Sequence, residues 1–167
     1  PVRYTSDLAE HHAVRTAAGL FDISHMAEFE VAGRDAGAYL DVALAGRLST
    51  MADDQAKYSL ILDAAGGIID DVIVYRHGAE RYLVVANAGN HDPALAALAE
   101  RTTGFDITLE DVSDQLGLLA VQGPAAQAIV EATVGLGSPR TPYDELGNYR
   151  MTHADFAAPG EEPVPVQ

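Results

Sequence analysis

The stretch from Tyr58 to Tyr75 leaves this chain few ways to fold. Residues 58–62 are apolar and strand-forming, Asp63-Ala64-Ala65-Gly66-Gly67 is a turn, and residues 68–75 form a return strand. The glycine pair supplies the positive φ angles that a hairpin loop wants. A second turn around His77-Gly78 leads to another strand over 82–86. Helical signals surround this meander. Ser6 with Asp7 and Glu10 reads as an N-cap and acidic first turn, predicting a helix to about Ala18 that stops at Gly19. Residues 20–31 turn to a strand pattern, with Phe29 and Val31 on one face and Glu28 and Glu30 on the other. Beyond Gly33, Ala36, Tyr39, Leu40 and Ala43 recur at helical spacing. Further helices are expected over 94–101, capped by Asn90 or Asp92, and over 124–134. Strands are expected over 107–112 and 116–121. Hairpin-linked strands mixed with helices predict an α+β fold, antiparallel sheets with packed helices, rather than a doubly wound parallel sheet.

Composition removes several function classes. The 167 residues carry 25 acids against 10 bases, a formal charge of −15, while 48% are apolar. That is one domain with enough apolar content for a sizeable core. Its negative field repels phosphate backbones and anionic membrane, so neither nucleic acid nor a membrane surface is an expected partner. There is no cysteine, hence no disulfide, thiolate metal site or cysteine nucleophile. A cytoplasmic setting fits this.

Known catalytic patterns are sparse. Gly135-Leu136-Gly137 lacks the third glycine and the preceding strand of a phosphate cradle. None of the six histidines stands four residues from another, which argues against zinc. Asp22, Ser24 and His25 are triad residue types, but neighbours on a strand point to opposite faces. The informative segment is Gly66-Gly67-Ile68-Ile69-Asp70-Asp71-Val72-Ile73-Val74-Tyr75. Alternation puts Ile69, Asp71, Ile73 and Tyr75 on one face and Ile68, Asp70, Val72 and Val74 on the other. Two adjacent carboxylates inside a strand are costly to bury. Either both cap the hairpin turn through local hydrogen bonds, or Asp71 presents a carboxylate in a half-apolar pocket walled by Tyr75. Such a pocket suits a flat heterocycle bearing N–H groups.

Four ordered segments carry a resemblance: Leu20-Phe21-Asp22-Ile23-Ser24-His25-Met26; Tyr58-Ser59-Leu60 with residues 66–75; residues 82–87; and Leu119-Ala120-Val121-Gln122-Gly123-Pro124. Together they resemble the T protein of the glycine cleavage system, a tetrahydrofolate-dependent aminomethyltransferase, over roughly residues 1–124 and weakly to Met151. The resemblance implies transfer of a one-carbon unit from the aminomethyl-lipoyl arm of the H protein to tetrahydrofolate, with release of ammonia. It implies that Asp71 is the catalytic acidic residue set against the reactive folate nitrogens. Tyr58, Ile73, Tyr75 and Asn87 would line the folate pocket, with Met26 a further contact. No metal is expected, and a cytoplasmic location is.

The pattern also departs from that family. Pro1-Val2-Arg3-Tyr4 resembles the end of a family segment whose preceding aromatic and Gly-containing part has no counterpart here, and neither do a downstream Arg-Thr-Gly-Tyr-Thr-Gly-Glu type motif and a further β-rich domain. Residues 1–152 are therefore expected to be an incomplete folate-binding domain, weakly active or inactive. Residues 153–167, rich in Pro and Glu, are expected to be a tail without periodicity. The apolar face left uncovered would drive a homo-oligomer. Other classes stay open: a folate-binding relative in iron–sulfur cluster maintenance, a folate-dependent demethylating oxidase, which would need a flavin domain, and a non-catalytic oligomerising module.

Overall fold

The computed structural model describes residues 3–167 and divides into two compact units. The first comprises residues up to Ile23, Leu118–Gly147 and Thr152–Gln167, and the second comprises Ser24–Gly117 with Asn148–Met151. Pro1 and Val2, the start of the segment compared with the family, lie outside the described residues.

The second unit is built on the expected meander. Strands β2 (Ala27–Ala32), β3 (Gln55–Leu62), β4 (Ile68–Gly78), β5 (Arg81–Ala86) and β6 (Thr108–Asp111) form one antiparallel sheet in the order β3-β4-β5-β2-β6. Helices α2 (Ala36–Ala43) and α3 (His91–Glu100) cover one of its faces. Phe29, Val31, Ile61, Val72, Val74 and Val84 point from the sheet into this core, where Tyr39, Leu40, Ala94 and Leu98 meet them. Each large aliphatic or aromatic side chain withdrawn from water there contributes about 1.5–3 kcal/mol. The Tyr39 hydroxyl satisfies itself on the Leu98 carbonyl at 2.7 Å. The Arg101 guanidinium closes the end of α3 by donating to the carbonyls of Ala43 and Leu62. All four helical positions read from the spacing after Gly33 are buried.

The first unit contains α1 (Asp7–Thr16), a two-stranded antiparallel pair of β1 (Gly19–Asp22) with β7 (Leu119–Gln122), α4 (Ala126–Glu131), and a hairpin of β8 (Ala154–Phe156) with β9 (Val164–Val166). Ser6 caps α1 as expected, its hydroxyl accepting from the Ala9 amide.

Three local expectations change. The run 20–31 is not one strand: it breaks at residues 23–26, and β1 and β2 join different sheets. Apolar alternation persists across that break, so periodicity alone does not reveal it. The Pro- and Glu-rich end pairs as β8–β9 instead of running without structure. Proline is tolerated there because a two-stranded hairpin is all edge. Finally, only Gly66 of the glycine pair takes a positive φ, at 86°. The rest of the turn is held by the Asp63 carboxylate, which accepts from the Ala65 and Gly67 amides at 2.8 and 2.7 Å. No helix among the described residues is long and apolar enough to cross a membrane.

Candidate functional site

The helix-free face of the five-stranded sheet collects the residues singled out from the sequence. Cα pairing runs Tyr58–Ile73, Ile73–Val85 and Val85–Glu28, one row across β3, β4, β5 and β2. The row on one side holds Ala56, Tyr75, Leu83 and Glu30. On the other side Leu60 pairs Asp71. Asn87 follows β5 and Met26 precedes β2, each one residue beyond the last pair, Ala27 with Ala86. Tyr58, Asp71, Ile73 and Tyr75 therefore share one face, as alternation on β4 required, and Asn87 reaches Asp71 from just past β5.

Polar contacts concentrate at Asp71. The Tyr58 hydroxyl donates to its Oδ2 at 3.1 Å, and Asn87 Nδ2 donates to its Oδ1 at 2.9 Å. The carboxylate is exposed, so both oxygens keep capacity for a further donor. Its hydrogen bond, followed by desolvation and the charges of Asp71 and Asp70, pushes the Tyr58 phenol above its usual range. Burial does the same for Tyr75, which is half-buried beside Ile73. Tyr58 is 52% exposed and offers one face of its ring to solvent.

Asp70 is not a turn cap. It lies on the opposite face, 3% exposed, and its carboxylate accepts from the Asn87 amide at 2.8 Å, Asn87 Nδ2 at 2.9 Å and Asn90 Nδ2 at 2.7 Å. Burial raises its pKa, but the hydrogen bonds from Asn90 and Asn87 outweigh it and hold the carboxyl below the ordinary range. Asn87 thus ties both aspartates together. Its Nδ2 also reaches the Asp71 carbonyl at 3.1 Å, so the amide nitrogen is committed to protein acceptors and the amide oxygen is left for a ligand. Asn90 begins α3 without capping it through its side chain, which is spent on Asp70.

Sequence reasoning passed over Asp70, Asn90 and Glu28 as parts of this site. The signal for Asp70 was an aspartate on the core face of a strand, which demands buried partners, with Asn87 and Asn90 three residues apart beyond the next strand. Glu28 could be placed only through the pairing of β2 with β5. Among the described residues, no group of His, Asp or Glu is arranged to hold a metal ion.

The arrangement is a fixed, exposed carboxylate between a tyrosine and an amide, bordered by Ile73, Val85 and a second tyrosine. It can accept hydrogen bonds from a flat N–H-bearing molecule and stabilise positive charge near Asp71.

Known proteins resemble this chain. The chain is 51% identical over 146 residues to an aminomethyltransferase of Cutibacterium acnes, a match covering 87% of this chain and 39% of that protein. It is 46% identical over 134 residues to an aminomethyltransferase of Thermus thermophilus, covering 80% and 38%. Among solved structures, the glycine cleavage system aminomethyltransferase T of Bartonella henselae matches with a TM-score of 0.73 at 35% identity, over 86% of this chain and 37% of that one. A chain of the heterotetrameric sarcosine oxidase of Corynebacterium sp. U-96 shares the fold at 15% identity and a TM-score of 0.61. The chain spans about two-fifths of the length of the aminomethyltransferases it matches. Residues 1–158 match the GCVT N-terminal domain model, and the chain belongs to that family, the T-protein family of glycine cleavage aminomethyltransferases.

Proposed function

We propose that the helix-free sheet face is the pterin-binding wall of a tetrahydrofolate-dependent aminomethyl transfer site. The observation that carries this is the Tyr58–Asp71–Asn87 hydrogen-bond set on one face of the sheet, in a chain of the aminomethyltransferase family. Tyr58 and Tyr75 give ring surface to the pterin, and Ile73 and Met26 give apolar contact. The Asn87 oxygen accepts an N–H at the pterin edge. Asp71 is the catalytic residue: its carboxylate, pinned by two donors, faces the folate nitrogens that receive the one-carbon unit. Positive charge grows on the one-carbon unit as ammonia leaves the aminomethyl-lipoyl arm of the H protein. A negative group already oriented there lowers the barrier without reorganising at the moment of reaction.

Residues 1–152 carry this function. The test is the Asp71→Asn variant in a full-length aminomethyltransferase relative, assayed for formation of 5,10-methylenetetrahydrofolate from the loaded H protein. A rate loss of roughly 100-fold or more is expected for one displaced electrostatic contact. An Asp71→Asn enzyme of undiminished rate overturns the assignment.

A further inference from the structure

Four carboxylates share the helix-free face: Glu110, opposite Glu30, is exposed, and two of the others are partnered. Asp71 is bound by Tyr58 and Asn87, and Glu30 is bound by Arg81 at 2.7 Å. Glu28 differs. It is 2% exposed, and its Oε2 is buried without any hydrogen-bond partner. Its main chain is fully engaged, the carbonyl accepting from the Val112 amide and the amide hydrogen-bonding the Ser113 hydroxyl, so the backbone holds the side chain in place. Withdrawal from water pushes its pKa up. A buried carboxyl oxygen with no donor is a costly arrangement that ordinary core packing removes.

The position of Glu28 gives that orphan oxygen a use. Glu28 closes the row Tyr58–Ile73–Val85, and Asp71 stands one row away on β4, two strands across. With strands ~4.8 Å apart and rows of same-face residues ~6.8 Å apart, the two backbone positions are separated by roughly 12 Å. Val85 and Ile73 occupy the register positions between them. That span suits a fused bicyclic ring with a hydrogen bond at either edge.

We propose that Glu28 is a second anchoring group of this face, its Oε2 accepting an N–H from the edge of a bound heterocycle whose other end meets Asp71. This rests on reading the face as a pterin site, and it adds a recognition residue on β2 to those named above. Glu28 would fix which way round the ring lies on Val85 and Ile73. It is a binding and orienting residue, and the transferred carbon stays at Asp71.

The experiment is carboxyl-carbon NMR of the whole chain, labelled at Asp and Glu, titrated with millimolar tetrahydrofolate. The Asp71 and Glu28 resonances are expected to move together with one apparent Kd. Movement of Asp71 with Glu28 still overturns this inference and leaves the pterin reading standing. If tetrahydrofolate moves neither resonance, the pterin reading itself falls and takes the inference with it. Glu28→Leu is expected to weaken binding roughly tenfold, the effect of one lost hydrogen bond to the ligand. Glu28→Gln, which keeps an acceptor oxygen, is expected to bind within about threefold of the parent chain. Unchanged affinity in a folded Glu28→Leu overturns the proposal. If that variant does not fold, the Gln variant and the carboxyl shifts of the parent chain decide.

Discussion

Asp70 and Asp71 are adjacent and identical, and the strand separates their duties. Asp71 is exposed beside Tyr58, whereas Asp70 is buried and accepts three hydrogen bonds from Asn87 and Asn90. Asp71→Asn should therefore leave stability nearly unchanged in this chain. Asp70→Asn should not, because its new N–H₂ group would face donors already aimed at a carboxylate. Leaving those buried donors unsatisfied costs about 1–3 kcal/mol. Thermal unfolding of the two variants checks this, and equal melting temperatures would remove the distinction. Asp70 also predicts an acid limit. Its folded pKa lies below the unfolded value, so its contribution is present above about pH 4. That contribution is lost as pH falls through the lower, folded value. Asp70→Asn should flatten this part of the stability curve. Because Asn87 joins the two carboxylates, Asp70→Asn should also loosen the donor that holds Asp71, so it will not be silent for transfer.

At the scale of elements, α3 is fastened to the sheet by His91, its first residue. Nδ1 lies 2.8 Å from the Asp92 carboxylate and Nε2 lies 2.8 Å from that of Asp111 on β6, with the ring against Phe29. A cation at a helix start opposes the helix dipole. Hydrogen bonds to Asp92 and then, against desolvation, to Asp111 nevertheless raise the His91 pKa. A raised folded pKa means the stabilisation is fully present below about pH 6.5 and fades as pH rises through the higher folded value. Equilibrium unfolding between pH 6 and 9 should show this decline, and His91→Gln should abolish it. The join between β2 and α2 is tighter. Gly33 has φ 137°, and an added Cβ would strike the Asp106 carbonyl and stand 2.8 Å from Ile107 Cα. Gly33→Ala should cost several kcal/mol, since both backbone strain and a backbone clash oppose it. A melting temperature within a degree of the parent would refute that. These joins also show what a sequence can disclose. The 3.6-residue spacing of Ala36, Tyr39, Leu40 and Ala43 and the alternation of β4 are local, and both survive in the structure. The common face of Asp71, Ile73 and Tyr75 was legible for the same reason. Which strand lies beside which is a long-range matter. The pairing of β2 with both β5 and β6, the break before β2 and the partners of Asp70 therefore had no local signature.

For the whole molecule, charge and exposed apolar surface lead to one linked expectation. Tetrahydrofolate is an anion, and the chain carries −15, with Asp71, Glu28 and Glu30 all on the face assigned to bind it. Long-range repulsion therefore opposes association, and short-range contact with one wall must overcome it. The 167-residue chain should thus bind tetrahydrofolate weakly, and more tightly as added salt screens the repulsion. Within the first unit, Leu20 on β1 and Leu119 on β7 are 68% and 62% exposed, and Phe21 is also exposed. Exposed apolar side chains on one small sheet favour pairing with a second copy, and β1 and β7 have no further strand beside them. Self-association by that route should weaken when Leu20 and Leu119 are both replaced by Ser, while tetrahydrofolate affinity, assigned to the other unit, stays the same. Sedimentation and calorimetry on the parent and double variant read the two effects separately. Tight stoichiometric folate binding by a strictly monomeric parent chain would refute both halves, since neither the repulsion nor the uncovered strands would then have a measurable consequence.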